Sequence, residues 1–262
     1  KPTMQFVNPL LKRKAFIWWN FPVSDYVRDR LLLGAVYGNG TDIDDDISAF
    51  ISNPMEHAEA SKIALFSIAD YAWNMDAYKS DASWRRAVRY LMPGHAAALQ
   101  VFASHNSDLG GNEHDFRREE SEQIRPALER LLDAYCREGK REVAAASAVT
   151  EECERMIASA DLLLASDENP ALIKEISPWL IQFKLLGEYG REVLCMLAAQ
   201  CDGKKTELEK AASHAKALQV LMKKIDATYN QNGFQPGVKT GSCHLKPAFD
   251  RLYQEVVQRT GK

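Results

Sequence analysis

Cysteine is scarce and odd in number: the 262 residues hold five, Cys136, Cys153, Cys195, Cys201 and Cys243. No CxxC or Cys/His zinc spacing joins them, which argues against a disulfide framework and a structural metal site. Long apolar runs are absent as well. Ala158–Ala165 is interrupted by Asp161, and Val193–Ala199 is far shorter than the ~20 residues a bilayer span requires, so no membrane crossing is expected. Nor is there an excess of positive charge: 33 Lys+Arg against 36 Asp+Glu give a net charge of −3, which argues against a nucleic-acid binder held by bulk charge. No repeat of about 20–50 residues is found. The chain opens with no basic start and apolar stretch, so no signal peptide is read; beginning at Lys1 rather than Met, it is expected to be a processed or downstream piece of something longer. What is present, 46% hydrophobic and 26% charged residues, is the composition of a globular protein.

Two patterns divide the chain. In the first 55 residues, short β-prone apolar runs at Ala15–Trp19 and Ile47–Ser52 read as buried strands. Between them, Asp25–Leu33 is expected as a short helix and Gly34–Gly40 as a turning loop. From His57 onward, apolar residues recur at helical spacing, beginning with Ala60, Ile63, Ala64, Ser67, Ile68 and Tyr71 behind an Asn53-Pro54 start signal. A second helix is expected at Trp84–Leu91 and a third after Pro93, followed by a polar connector over Ser104–Phe116 centred on Gly110-Gly111. Four further stripes predict long helices joined as a bundle: Ile124, Leu128, Leu131 and Tyr135; then Met156, Ile157, Ala160, Leu163 and Leu164; then Phe183, Leu186, Tyr189, Val193 and Leu197; then Leu208, Ala211, Ala215, Leu218, Met222 and Ile225. Pro170 and Pro178 are placed at helix starts, and Pro247–Arg259 is expected as a last helix. A lone pair of strands leaves edges and one face uncovered. A strand–helix–strand unit belongs to a parallel α/β sheet or barrel, where functional side chains cluster just after the strand ends. Trp18, Asn20, Asp25 and Asn53 hold those positions.

The stretch Phe16-Ile17-Trp18-Trp19-Asn20-Phe21-Pro22-Val23-Ser24-Asp25-Tyr26 sets aromatic walls beside a carboxamide and a carboxylate. Sugars have apolar ring faces and polar rims; a carboxylate accepts two hydroxyl hydrogen bonds, and an asparagine both donates and accepts. Spacing alone leaves core tryptophans and an Asp25 helix cap equally open. The same string, continued through Val27-Arg28-Asp29, Leu31-Leu32-Leu33-Gly34 and Val36-Tyr37-Gly38-Asn39, resembles glycoside hydrolase family 84, as does Asn53-Pro54-Met55-Glu56-His57-Ala58-Glu59 with Ser61-Lys62-Ile63-Ala64 behind it. Tyr71-Ala72-Trp73-Asn74, His105-Asn106-Ser107-Asp108-Leu109-Gly110, Arg117-Arg118-Glu119-Glu120-Ser121 and Pro178-Trp179-Leu180-Ile181-Gln182-Phe183-Lys184 extend the resemblance to about residue 197.

The resemblance implies a mostly α chain: the last two strand–helix units of a (β/α)8 TIM barrel within residues 1–110, followed by a C-terminal α-helical bundle over 111–262. It implies retaining hydrolysis of terminal β-linked N-acetylglucosamine on a glycan or glycoprotein, with the substrate's own acetamido oxygen as nucleophile. This differs from the scheme that uses a carboxylate nucleophile. Trp18 would form the wall of the acetamido pocket and Asn20 would lie beside that group and the catalytic carboxylates. Asp25 would grip the 4- and 6-hydroxyls, and Asn53 a neighbouring hydroxyl. The two catalytic aspartates lie on an earlier barrel strand, so none is expected in this chain, which alone should be inactive and should need that upstream segment as its partner. No cofactor and no metal are implied. Export fits a bacterial parent acting on extracellular glycans, though the compartment stays open.

Asp44-Asp45-Asp46-Ile47 imitates the family's catalytic signature but falls between Tyr37-Gly38-Asn39 and Asn53-Pro54, where the family varies, and reads as a solvated loop. His105, Asp108, Glu113 and His114 match no zinc or calcium spacing and read as capping and surface groups. His57 could reach the pocket or serve the helix start. The alternative function is a helical interaction or dimerisation module from about residue 117, giving a homo-oligomer, with the barrel part a non-catalytic remnant.

Overall fold

The structure, a computed structural model, describes residues 1–108 and 118–260. Strands β1 (Ala15–Pro22) and β2 (Ile47–Asn53) pair in parallel, with Trp18 opposite Ile51 and Pro22 opposite Asn53. Successive side chains on a strand point to opposite faces. Accordingly Ile17, Trp19 and Phe21 turn toward the helices, and the Trp19 ring lies 5.3 Å from Phe50 and 6.1 Å from Tyr71. Phe16, Trp18 and Ile51 turn away and stay 61%, 67% and 45% exposed. Helix α1 (Pro2–Leu11) has no counterpart in the sequence pattern, because it buries none of its residues. Its Asn8 side chain fastens both strand starts, accepting from Ala15 N (2.9 Å) and donating to Asp46 O (2.7 Å).

The helix expected at Asp25–Leu33 does not form. Two successive turns take its place, Val27 N donating to Ser24 O (2.9 Å) and Arg30 N to Val27 O (3.0 Å). The next residues, Leu31–Val36, are buried rather than looped into solvent, because neighbouring elements claim their backbone groups. Leu33 N donates to Asn106 O (2.8 Å) and Val36 N to Ser67 Oγ (2.9 Å), while Trp84 Nε1 and Tyr78 OH donate to the carbonyls of Leu33 (2.8 Å) and Val36 (2.7 Å). Gly34 permits this close approach: a Cβ there would lie 3.1 Å from Ser107 O.

The rest is helical: α2 (Ala58–Trp73), α3 (Ser80–Leu91), α4 (Ala96–Ser104), α5 (Arg125–Glu138), α6 (Val143–Leu164), α7 (Pro170–Cys201), α8 (Lys205–Thr228) and α9 (Leu245–Thr260). The apolar stripes are mostly the buried faces, complete on α2 from Ala60 to Tyr71 and on α7 from Phe183 to Leu197. Helix α2 starts four residues beyond Pro54, and its free Ala60 N–H is satisfied from another helix by Glu175 Oε1 at 2.8 Å. Helix α7 is central, packing against α2, α6, α8 and α9. Asn169 caps it and Pro170 opens it, but Pro178 lies inside, not at a start. The missing Pro178 N–H would leave the Lys174 carbonyl unpaired; the Ser177 hydroxyl donates to that carbonyl at 3.1 Å. One hydrophobic core runs from Phe21 beneath the strands to Val256 on α9. The connector lies in part outside the described residues, and with it Gly110, Gly111, Glu113, His114 and the expected boundary at 110/111.

Candidate functional site

Because β1 and β2 are parallel, their C-terminal ends open on the same side. Trp18 and Asn20, two apart, share the exposed face of β1, and Asn53 closes β2 beside them. Asn20 Oδ1 accepts from Trp18 Nε1 at 2.7 Å and from Asn53 Nδ2 at 3.2 Å. Its two bonds occupy the carbonyl oxygen and leave the amide nitrogen to donate outward. The Trp18 side chain is largely exposed, and among the described residues only its N–H is engaged, so the ring keeps a face open. The three therefore present an aromatic plane, a carboxamide donor and a second carboxamide on one surface.

Asp25 is brought to the same end by a different route. It is exposed in the turn after β1, opens no helix and so is no helix cap. Arg28 holds the turn in place, its Nε donating to Asp25 O at 3.2 Å and its Nη1 to Glu56 Oε2 at 3.3 Å, across to the segment after β2. Among the described residues the Asp25 carboxylate makes no hydrogen bond with Trp18, Asn20 or Asn53.

Beneath this turn lies a residue that spacing could not reveal. Asp29 is fully buried; its carboxylate accepts from Lys239 Nζ at 2.5 Å and lies 3.6 Å from Arg30 Nε. Its carbonyl accepts from Trp179 Nε1 (2.9 Å) and Lys239 N (2.7 Å). The Asp25 turn is thus anchored to α7 and to a segment 210 residues further along. Arg28 and Asp29 thus hold the turn that carries Asp25, and Glu56 and Lys239, 28 and 210 residues from them, are partners that local spacing does not reach.

His57 packs edge-on against the Trp179 ring, 4.9 Å between centroids, and burial pushes its pKa below the usual 6.5. The ring is wedged between the start of α2 and α7. Asp44–Asp46 form a 3-10 turn at the start of β2, the opposite end from Asn53, and a strand of this length separates them by roughly 20 Å. His105 and Asp108 are buried, not at the surface as expected. His105 bonds Ser121 Oγ (2.8 Å) through Nδ1 and Glu152 Oε1 (2.6 Å) through Nε2, which ties the end of α4 to α6. Among the described residues no three His, Cys, Asp or Glu side chains gather closely enough to hold a metal ion, and no helix is long and apolar enough to cross a membrane.

Comparison with known proteins gives two adjoining matches: residues 1–104 to the family described as beta-N-acetylglucosaminidase, and residues 120–253 to the post-catalytic domain of bacterial GH84. The second alone covers half of the chain. The chain belongs to glycoside hydrolase family 84. The protein O-GlcNAcases of Rattus norvegicus and Mus musculus are each 30% identical over 80 residues, which is 30% of this chain and 9% of theirs. Among solved structures, CpGH84D is 27% identical with a TM-score of 0.85 over 98% of this chain. CpGH84B (24%, TM-score 0.83, 95% of this chain) and a mutant Thermobaculum terrenum O-GlcNAc hydrolase (20%, 0.75, 98%) share the fold. The chain spans 42%, 41% and 52% of those three. A mostly helical chain of family 84, a family of glycosidases, is therefore what these residues make.

Proposed function

We propose that the chain is the sugar-gripping part of a retaining β-N-acetylglucosaminidase that removes terminal β-linked N-acetylglucosamine from a glycan or glycoprotein. The observation that carries this reading is the convergence of Trp18 and Asn20, on the exposed face of β1, with Asn53 at the C-terminal end of the parallel β2, joined through Asn20 Oδ1. Catalytic groups of (β/α)8 enzymes gather at that end of the barrel. Residues 1–110 supply its closing strand–helix units, and residues 111–262 form the helical domain beyond them. The exposed apolar face of Phe16, Trp18 and Ile51 supports this division, because such a face suits the inside of a barrel completed by further strands.

In this reading the chain's residues bind and orient while a preceding segment supplies two aspartates. The Trp18 ring faces the acetamido group, and the Asn20 amide nitrogen donates toward that group or the carboxylates beside it. The Asp25 carboxylate accepts from the 4- and 6-hydroxyls, and Asn53 bonds a neighbouring hydroxyl. The acetamido oxygen attacks the anomeric carbon as one aspartate protonates the leaving oxygen, and the other holds the acetamido N–H. Water then opens the oxazoline with the first aspartate acting as base.

The test is hydrolysis of an aryl β-N-acetylglucosaminide by the longer parent and its variants. A lost charge-assisted hydrogen bond of about 1.5–3 kcal/mol predicts that Asp25→Ala lowers kcat/KM about ten- to a hundredfold. Asn53→Ala should act in the same direction and less. An Asp25→Ala parent with unchanged kcat/KM removes Asp25 from the site. Turnover by the chain alone overturns the upstream placement of the aspartates.

A further inference from the structure

The turn that carries Asp25 lies in no helix or strand, so the carbonyls of Arg28 and Asp29 need partners from elsewhere. Two clasps hold it. On the strand side Arg28 Nη1 reaches Glu56, an exposed ion pair that water screens and that restrains weakly. On the other side stand Trp179 and the loop between α8 and α9. Asn230 Nδ2 donates to Arg28 O at 2.7 Å, Lys239 N to Asp29 O at 2.7 Å, and Lys239 Nζ to the fully buried Asp29 carboxylate at 2.5 Å. These three bonds run from the stretch that matches the post-catalytic domain to the one that matches the beta-N-acetylglucosaminidase family.

The loop is itself fixed. Asn230 stands at φ 51°, a region where asparagine is favoured among non-glycine residues. Its Nδ2 also donates to Gly237 O (2.8 Å) and its carbonyl accepts from Gly237 N (3.1 Å), which closes the loop on itself. Val238 is fully buried, its N–H held by Asp226 Oδ1 on α8 (2.8 Å) and its carbonyl by Gln182 Nε2 on α7 (3.1 Å). Lys239 therefore starts from a point tied to both helices. Asp25 O accepts from Arg28 Nε at 3.2 Å, so whatever fixes Arg28 fixes Asp25. A binding group on a turn is effective when the turn is ordered before the ligand arrives. We propose that Asn230 and Lys239 are positioning residues of the sugar site: through Arg28 and Asp29, the helical domain holds the Asp25 turn where its carboxylate can grip substrate hydroxyls. This role rests on the assignment of Asp25 to the 4- and 6-hydroxyls.

The experiment compares Asn230→Gly, Lys239→Met and Asp25→Ala in the longer parent, reading kcat and KM on an aryl β-N-acetylglucosaminide. Glycine suits the positive φ and removes only the amide. Asn230→Gly should raise KM about two- to tenfold, the worth of one hydrogen bond, with kcat unchanged, because a hydroxyl grip made alike in ground and transition states is lost as KM. In the Asp25→Ala parent the same substitution should raise KM no further, since it acts through Asp25. A merely structural role would lower Tm and leave KM as it was. Lys239→Met deprives the buried Asp29 carboxylate of its lysine and should act more strongly; where it fails to fold, Asn230→Gly decides. Unchanged KM in Asn230→Gly while Asp25→Ala lowers kcat/KM, or an equal rise with and without Asp25, overturns the positioning role and leaves the sugar-gripping reading standing. Asp25→Ala with unchanged kcat/KM overturns that reading, and the positioning role with it.

Discussion

His105 is buried against Ser121 and Glu152, which bond its two ring nitrogens. Its place in a polar stretch gives no sign of that, because the partners are distant in sequence. Asn53 closes one apolar run, and Trp18 and Asn20 share the exposed face of the strand that the other run forms, so their convergence follows from local spacing. Burial pushes the Glu152 carboxyl up, but the His105 hydrogen bond and the Arg155 guanidinium outweigh it and hold the pKa below the usual 4.5. An acid depressed in the folded state contributes stability that is present above its unfolded pKa and is lost as pH falls through the folded one. Glu152→Gln should therefore cost about 1–3 kcal/mol at neutral pH, the range for a buried hydrogen-bonded group. The gap between the two proteins should close as pH falls below 4.5. Urea unfolding across that range measures it, and a gap that stays constant in acid would deny Glu152 its role.

At the level of elements, periodicity located the helices because tertiary packing uses the same faces that the spacing creates. It failed at Asp25–Leu33, where helical propensity was overridden once Asn106, Ser67, Trp84 and Tyr78 took the backbone groups that follow. It failed at Pro178 because the compensating Ser177 bond is a side-chain matter. Nor does spacing show how closely helices approach. On α7, a Cβ at Gly187 would lie 3.0 Å from Cys153 O, and one at Gly190 2.5 Å from the Phe249 ring and 2.8 Å from Cys153 Sγ. The buried Phe249 ring and Cys153 have little room to retreat. Gly190→Ala gains about 1 kcal/mol of helix propensity but incurs overpacking of about 1–3 kcal/mol. The expected result is net destabilisation, read as a lower Tm, with Gly190→Ala costing more than Gly187→Ala; a raised Tm at Gly190 would contradict the packing of α6 and α9 on α7.

Across the whole molecule, the continuous core and the bare sheet face point in opposite directions. The helices bury their stripes completely enough to hold the chain together, and Asp29 locks the turn after β1 to α7 and Lys239. The sheet does not share that closure: its two strands pair only with each other among the described residues, and Phe16, Trp18 and Ile51 lie uncovered on one face. Open parallel edges beside an apolar face are a template for further strands, whether from the rest of a barrel or from a second copy. The chain taken alone should therefore self-associate through this face at high concentration, seen by sedimentation velocity as a rising mean mass. Phe16→Lys with Ile51→Lys places charge on the face without touching the helical core, and should shift the distribution toward monomer. Self-association that survives the double substitution would move the contact to the helices, as the interaction-module reading requires. Its disappearance would place the contact on the sheet's open face.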